Sequence, residues 1–328
     1  MVRKYFVVLG LIVAALASPF SVSGISSGGF MAAQMHVAFS ADCVGAGVIA
    51  GGPFYCALGS EVTATTACMS SPYLLKPSSY VQYANEQAEK GNIDALSNLS
   101  SNTNGIWIFS GQMDTVVNQK VVKALQAFYQ NWVSPSKIAT VYDVYAEHSW
   151  VTNNAGNPCY YLGSPYINNC KTDAAGLILK QIYGNIVAPT TAVSSNLKSF
   201  EQSNFADVSS AVMLNEGYVY VPTSCQSNPT SCKVHLAIHG CQQNYNTIGN
   251  KFLVESNLNG YAEANGIIVI YPQVDSNMIK NPEGCWDWWG YAGSDYALKS
   301  GVQMAALYKM TQNVQQLISG AQSVEWEL

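Results

Sequence analysis

Three polar residues have the types and the order that nucleophilic catalysis requires: Ser26, Asp114 and His148. A serine hydroxyl attacks an ester or amide carbonyl when a histidine takes its proton and a carboxylate orients the histidine ring. The chain order serine, aspartate, histidine is typical of the α/β-hydrolase fold. The chemistry therefore depends on whether the surrounding elements bring these three distant residues together.

Ser26 lies in the segment SVSGISSGGFMAAQ, residues 21–34, where Gly24 and Gly28 complete a G-x-S-x-G pattern. Glycines on both sides permit the sharp strand-to-helix turn that exposes the middle serine. The pattern alone is weak, because a chain rich in serine and glycine contains it by chance. Here the β-prone segment Phe20–Ser23 precedes it and an Ala- and Met-rich helix follows, so the context favours a nucleophile.

Asp114 and His148 each follow a predicted buried strand. Asp114 lies in SGQMDTVV, after a strand over residues 106–109, where a carboxylate can hold an imidazole. It could instead cap a helix that begins near Val117. His148 lies in AEHSW, after a strand predicted over residues 140–145, although a lone loop histidine is more often a surface residue. Because both follow successive strands in the required order, we interpret them as the partners of the serine.

A tetrahedral intermediate also needs backbone N–H donors for its oxyanion. The N–H of Ser27, directly after the nucleophile, is one candidate. The second is Cys241 in VHLAIHGCQQN, residues 234–244, where an apolar strand ends in an HGGG-like turn. The turn His239-Gly240 could also be a simple strand exit and Cys241 half of a disulfide, and both interpretations can hold together.

The elements that must position these residues alternate between apolar, β-rich runs and helical stretches, which predicts a doubly wound, mostly parallel α/β sheet in one domain. Strands are predicted over residues 44–49, 106–109, 140–145, 234–238 and 267–271. Helices are predicted over residues 29–39, 121–132, 173–183 and 300–318.

The order of the loops is unusual. In an ordinary α/β-hydrolase the oxyanion loop precedes the nucleophile, whereas here it follows His148 by about ninety residues. Moving residues from about 200 to 328 in front of Ser18 restores the ordinary order. The sequence therefore predicts a circularly permuted α/β-hydrolase.

Composition restricts the function classes. Of 328 residues, 48% are hydrophobic, enough for a sizeable core, and only 11% are charged, against roughly 25% in an average soluble protein. The net charge is −5 with no cluster of Lys or Arg, which argues against a nucleic-acid partner. Only four histidines are present, which argues against a His-rich metal site.

The first seventeen residues are typical of a signal peptide. Arg3 and Lys4 form a basic region, Tyr5–Ala17 is apolar, and Ala15 and Ala17 are the small residues that a signal peptidase reads. An uncleaved membrane anchor is the alternative, but a span needs ~20 apolar residues. We expect a secreted, extracellular protein without stable membrane insertion, whose residues 18–328 form the catalytic domain.

Nine cysteines in a secreted chain predict disulfides with one residue left over. A zinc site is a weak alternative because no CxxC or paired-His spacing is present. Cys43 is the expected buried thiol. The other eight fall into neighbouring pairs, Cys56 with Cys68, Cys159 with Cys170, Cys225 with Cys232, and Cys241 with Cys285.

Six motifs carry a resemblance over nearly all of the predicted mature chain: SGISSGGFMAAQ, SGQMDTVV, AEHSW, HGCQQ, YPQ and NPEGCWDWWG. Together they resemble the secreted poly(3-hydroxybutyrate) depolymerases, most closely their single-domain, circularly permuted type. The resemblance implies that Trp288 lines the substrate crevice. We expect no metal or organic cofactor, because the serine mechanism needs none. The resemblance also implies the catalytic and oxyanion roles given above for Ser26, Asp114, His148, Ser27 and Cys241. Trp150 and Val151 depart from the Phe and Pro that are usual after the histidine.

The expected function is hydrolysis of short-chain polyhydroxyalkanoate esters by a monomer that adsorbs through its catalytic domain. Trp286 is expected to contact substrate together with Trp288, because an apolar crevice suits a hydrophobic polyester. One alternative keeps the chemistry but acts on small esters or on acyl and feruloyl groups of polysaccharides. Another is a non-enzymatic surface-binding protein, which predicts a missing triad member.

Overall fold

A nine-stranded, mostly parallel sheet runs through the protein, and a computed structural model describes residues 18–323. The predicted signal peptide, residues 1–17, lies outside the described residues. The strands are β1 (Phe20–Ile25), β2 (Cys43–Ile49), β3 (Gly105–Phe109), β4 (Ile138–Val141), β5 (Trp150–Thr152), β6 (Asn157–Pro158), β7 (Ile167–Asn169), β8 (Leu197–Glu201), β9 (Glu216–Tyr220), β10 (Lys233–Ile238), β11 (Ile267–Tyr271) and β12 (Gln322–Ser323).

Helices connect and cover these strands. They are α1 (Ser27–Ala38), α2 (Glu61–Thr65), α3 (Pro77–Glu89), α4 (Ser97–Ser101), α5 (Gln119–Tyr129), α6 (Ala174–Tyr183), α7 (Val208–Ala211), α8 (Tyr245–Ile248), α9 (Lys251–Glu255), α10 (Leu258–Asn265), α11 (Val302–Gln312) and α12 (Val314–Ser319). Helix α1 packs on β1, β2 and β10, and α6 packs on β2 and β3. Within residues 18–323, none of the helices combines the length and the apolar character that crossing a bilayer requires.

The strand order of the large sheet is β12-β8-β9-β11-β10-β1-β2-β3-β4, and the second sheet is β5-β7-β6. Strands β11, β10, β1, β2, β3 and β4 are parallel, whereas β9, β8 and β12 extend the sheet antiparallel. Parallel strands end at the same edge of a sheet, so the loops after β1, β3 and β10 meet there. This arrangement confirms the predicted α/β class, and the permuted chain order stays a prediction.

Two predicted elements differ from the structure. The strand expected over residues 140–145 ends at Val141, because the following backbone carbonyls of Val144 and Ala146 accept hydrogen bonds from Gln112 and Met113 instead of continuing the ladder. The helix expected over residues 300–318 is interrupted at Asn313, whose φ of −113° and ψ of 42° are not helical.

Four disulfides staple the loops, and they are the pairs Cys56–Cys68, Cys159–Cys170, Cys225–Cys232 and Cys241–Cys285 predicted from the sequence. The last pair closes the longest segment, 44 residues, and joins the loop after β10 to the aromatic loop that contains Trp288. Cys43 is the buried thiol, and burial raises its pKa, so it stays protonated. A protonated, buried thiol is a poor nucleophile.

Three buried histidines are held by neutral hydrogen-bond partners. His36 contacts the Tyr129 and Thr103 hydroxyls, and His235 lies between the hydroxyls of Ser21 and Ser23 at 2.6 and 2.8 Å. Burial lowers the pKa of His36 and of His235 to about 3. It also lowers the pKa of His239 to about 4. These side chains therefore stay neutral in the folded chain at any mildly acidic pH.

The free energy of unfolding should fall as pH is lowered below about 6.5. Between that value and their folded pKa values, the unfolded chain binds protons at these three histidines and the folded chain does not. Each histidine then lowers the free energy of unfolding by about 2 kcal/mol at pH 5 relative to pH 7. Asp287 acts in the opposite direction, because burial raises its pKa to about 6 and the folded chain therefore binds a proton there more readily than the unfolded chain. This single carboxyl group does not offset the three histidines. Urea unfolding at pH 7 and pH 5 measures the difference, and equal midpoints would contradict the assignment.

Candidate active site

Ser26 occupies the turn between β1 and α1 in a backbone conformation that side chains rarely adopt, with φ of 56° and ψ of −123°. A Cβ on Gly24 would lie 2.1 Å from the Gly28 carbonyl oxygen, and one on Gly28 would lie 2.3 Å from that of His239. Only glycine fits at either position, which gives the G-x-S-x-G spacing a steric cause. The turn presents Ser26 on the wall of a cavity.

Asp114 and His148 are joined by a hydrogen bond of 2.9 Å between Oδ2 and Nδ1. Both side chains are nearly inaccessible to solvent. The second carboxylate oxygen, Oδ1, accepts from the backbone N–H groups of Val116 and Val117 at 3.0 and 2.8 Å. Helix α5 is capped by Asn118, so the interpretation of Asp114 as its N-cap is wrong. The carboxylate is hydrogen-bonded to the imidazole instead.

Glu147 is a buried residue of the site that sequence reasoning missed. Its Oε1 accepts from the backbone N–H of Thr115 at 2.7 Å and from that of His148 at 2.8 Å. It also accepts from the Thr115 hydroxyl at 3.1 Å. One carboxylate oxygen therefore ties the loop that contains Asp114 to the loop that contains His148. Its position beside His148 was the available signal.

Ser26, His148 and Cys241 line one cavity of about 350 Å³. No hydrogen bond joins the Ser26 hydroxyl to the His148 ring among the described residues, and such bonds often tighten only when substrate binds. The structure therefore brings the nucleophile and base candidates to one space, with Asp114 behind the histidine.

The loop after β10 is pinned from several sides. His239 Nδ1 lies 2.7 Å from the Gly240 carbonyl oxygen, and its Nε2 accepts from the Val274 N–H at 3.3 Å. Gln243 accepts from the Gly240 N–H at 2.7 Å and donates to the Pro165 carbonyl at 2.8 Å. A loop held in this way keeps its backbone donors in fixed positions.

The backbone N–H groups of Ser27 and Cys241 are the two predicted oxyanion donors. Ser27 is the first residue of α1, so its N–H has no partner within the helix. Cys241 lines the cavity and is fixed by its disulfide to Cys285. Among the described residues, no hydrogen bond uses the backbone N–H of Ser27 or of Cys241. Both N–H groups are therefore without a partner in the described part of the chain, and their role as oxyanion donors stays a prediction.

Aromatic side chains form one wall of the cavity. Trp288 stacks on Phe30 with ring centroids 4.1 Å apart, and Trp289 packs edge-on against Trp288 at 5.8 Å. All three line the cavity. Trp286 does not, because it is fully buried and packs against His239. The expectation that Trp286 contacts substrate is therefore wrong, and Trp289 is the second tryptophan on the cavity wall beside Trp288.

Asp287 organises the aromatic loop from within. Its Oδ1 accepts from the backbone N–H groups of Trp289, Gly290 and Tyr291 at 3.2, 2.6 and 3.1 Å, and its Oδ2 accepts from that of Ala292 at 2.9 Å. The carboxylate is buried, and burial raises its pKa to about 6 despite these four donors. One side chain therefore sets the backbone path that places Trp288 and Trp289.

Asp287→Ala should destabilise the protein by about 2–4 kcal/mol, because four partly buried backbone N–H groups lose their acceptor. It should also raise KM more than it lowers kcat, because the tryptophans that it displaces line the cavity but supply no group for the chemistry. Thermal unfolding and steady-state kinetics test both effects. Asp143→Ala, at an exposed carboxylate outside the loop, is the control. An unchanged KM in Asp287→Ala would contradict the role of the loop.

No protein-family model matches the sequence. A relative from Delftia acidovorans, named poly(3-hydroxybutyrate) depolymerase, is 42% identical over 298 residues, which cover 90% of this chain and 59% of that relative. The chain thus spans about three fifths of the length of that protein. A relative from Talaromyces funiculosus, named polyhydroxybutyrate depolymerase, is 40% identical over 318 residues, which cover 92% of this chain and 90% of the relative.

Solved structures agree with these relatives. A crystal structure of PHB depolymerase from Penicillium funiculosum has a TM-score of 0.83 and 35% sequence identity, and the match covers 93% of this chain and 97% of that chain. A PHB depolymerase variant complexed with an R3HB trimer has the same TM-score and identity, and the match covers 98% of its chain.

Proposed function

The chain belongs to the polyhydroxybutyrate depolymerase family, and we propose that it is a secreted serine esterase that hydrolyses poly(3-hydroxybutyrate) or related short-chain polyhydroxyalkanoates. The observation that carries this proposal is the shared cavity, where Ser26, His148 and Cys241 meet an aromatic wall. The triad supplies the ester chemistry, and the wall supplies a surface for an apolar chain. The predicted signal peptide and the four disulfides support an extracellular setting.

In the acylation step, the Ser26 hydroxyl oxygen attacks the ester carbonyl carbon while His148 Nε2 takes the hydroxyl proton. Asp114 holds the Nδ1–H of the ring and stabilises the imidazolium. The N–H groups of Ser27 and Cys241 stabilise the carbonyl oxygen as it becomes negative. The carbon–oxygen bond to the leaving alcohol then breaks, and His148 returns the proton to that alcohol.

Deacylation repeats the sequence with water. His148 takes a proton from a water molecule, whose oxygen attacks the acyl carbon on Ser26. The tetrahedral intermediate collapses, the bond to the serine oxygen breaks, and His148 returns the proton to Ser26. The products of one cycle are an alcohol and a carboxylic acid, which ionises in neutral solution.

The cavity lining suits a methyl-branched polyester. Phe30, Met69, Trp288 and Trp289 give it an apolar, largely aromatic surface, and ligand sites of this kind bind mainly through such groups. Some large apolar side chains are exposed close in sequence to residues that line the cavity. Ile279, for example, is 92% exposed. Such residues offer contacts to an insoluble hydrophobic surface.

A comparison of three substrates tests the proposal: a poly(3-hydroxybutyrate) suspension, a soluble butyrate ester and an acylated or feruloylated polysaccharide. We expect clearing of the suspension and hydrolysis of the soluble ester. Hydrolysis of the soluble ester without clearing would overturn the polyester assignment and leave the triad. Release of acyl groups from the polysaccharide alone would favour the other esterase function. Activity on none of the three would overturn the enzymatic role.

A further inference from the structure

The charges on the catalytic cavity all have one sign. Glu61 and Glu283 line it, both are exposed, and no Lys or Arg is among the lining residues of the described chain. Lys280 is close in sequence to the lining segment but does not line the cavity. Two more carboxylates, Asp114 and Glu147, are hydrogen-bonded to His148 and do not line the cavity.

Glu283 is fixed beside the oxyanion loop. Its side chain accepts a hydrogen bond from the Gln242 amide, and its backbone carbonyl accepts from the Gln242 N–H at 2.7 Å. The Tyr166 hydroxyl donates to Gln242 at 3.0 Å, and the adjacent Cys241–Cys285 disulfide joins the two loops. Glu61 begins α2, which Ser60 caps through a hydrogen bond. Glu283 therefore lies in a segment held by a disulfide, and Glu61 lies in a helix with a capped N-terminus.

A polyhydroxyalkanoate chain is neutral except at one end, which is a carboxylate in neutral solution. That end always lies on the leaving-alcohol side of the ester under attack. A second carboxylate appears at Ser26 when the acyl group is released. Carboxylates of the protein near either position repel these groups, and the repulsion weakens as salt screens it.

We propose that Glu61 and Glu283 are specificity determinants that disfavour a free carboxylate near the scissile ester. The enzyme then cleaves internal ester bonds in preference to the ester bonds next to the acid end of the chain. The same repulsion promotes release of the carboxylate product from the cavity. This inference rests on the proposed polyester hydrolysis and specifies which ester bonds of the polymer are cleaved first. Long chains should first yield oligomers, and accumulated hydroxy acid should inhibit weakly.

The test compares a 3-hydroxybutyrate trimer with its methyl ester, scoring cleavage of the internal bonds by chromatography. We expect kcat/KM to favour the methyl ester by about three- to tenfold at low ionic strength. The ratio should approach one at about 0.5 M salt, where the Debye length is only a few ångströms. The salt comparison uses the unaltered protein, so it does not depend on any variant folding.

The variant Glu61→Gln/Glu283→Gln removes both charges and keeps amide groups of similar shape. Its ratio should lie near one at either salt concentration. Glu89→Gln is the matched control, since Glu89 is an exposed carboxylate on a different groove, between α3 and α5. That variant should keep the native ratio and its salt dependence.

The outcomes separate the two claims. Equal hydrolysis of acid and methyl ester at low salt would overturn the charge inference while the polyester assignment stands. A preference for the methyl ester that persists in high salt and in the double variant would also overturn it, because contact with the methyl group would then be the cause. If neither trimer is cleaved while a soluble butyrate ester is, the polyester assignment fails and the inference fails with it.

Discussion

Ser26→Ala is expected to lower kcat for ester hydrolysis by about 10⁴- to 10⁶-fold. The substitution removes the oxygen that forms the acyl-enzyme, and neither the oxyanion donors nor the histidine can replace it. Only the acceleration over water that binding and the oxyanion hole supply should persist, about 10³- to 10⁴-fold. The backbone strain at φ of 56° is the same for alanine as for serine, so the fold should be unaffected. Initial rates on a soluble butyrate ester give the effect.

Ser100→Ala is the control, because Ser100 is exposed and lies outside the cavity. That variant should retain the native rate. Thermal unfolding should give equal midpoints for Ser26→Ala and the native chain. Ser26→Ala should still bind polyester granules, since the aromatic wall and the exposed apolar residues are intact. Activity above about one per cent of native in Ser26→Ala would show that another group is the nucleophile.

Asp114→Asn should lower kcat by about 10³- to 10⁴-fold with little change in KM. An asparagine side chain can still accept from the N–H groups of Val116 and Val117, so the loop should keep its shape. Its amide nitrogen, however, can donate to His148 Nδ1 and favour the tautomer that cannot take the serine proton. The variant would also lose the charge that stabilises the imidazolium.

Asp143→Asn provides the comparison, because Asp143 is an exposed carboxylate in the segment between β4 and His148. Steady-state kinetics of both variants on a soluble ester measure the difference. If Asp114→Asn retained more than a tenth of native kcat, Asp114 would be a structural residue of the loop, and a different group would orient His148. Glu147 would be the first candidate, because its carboxylate contacts the same histidine residue.

The elements that could be predicted from sequence are those whose signal is local. The apolar runs of β2, β3, β10 and β11 are buried on both sides in a parallel sheet, so the sequence pattern and the structure have the same cause. The elbow was predictable because two glycines have a steric reason to flank Ser26. Neighbouring cysteines paired as expected because the chain between them is short.

The remainder depended on contacts between distant segments. Strands β8 and β9 pair with each other, but β9 also pairs with the distant β11 and β8 with the distant β12, and these distant contacts leave no pattern in their own residues. Nothing in the sequence around Asp287 indicates that its carboxylate accepts hydrogen bonds from four backbone N–H groups of the aromatic loop. In an irregular loop there is no period that tells which side chain faces the cavity, which is why Trp286 was assigned wrongly.

The most direct test of the account is to trap the acyl-enzyme. The protein is mixed with a 3-hydroxybutyrate oligomer ester, quenched in acid during turnover, digested and examined by mass spectrometry. We expect one or more 3-hydroxybutyryl units on the peptide that contains Ser26, with fragment ions that place them on this serine. The adduct should be absent from Ser26→Ala. Turnover of the oligomer with Ser26 unmodified, or an adduct on another residue, would contradict the central claim.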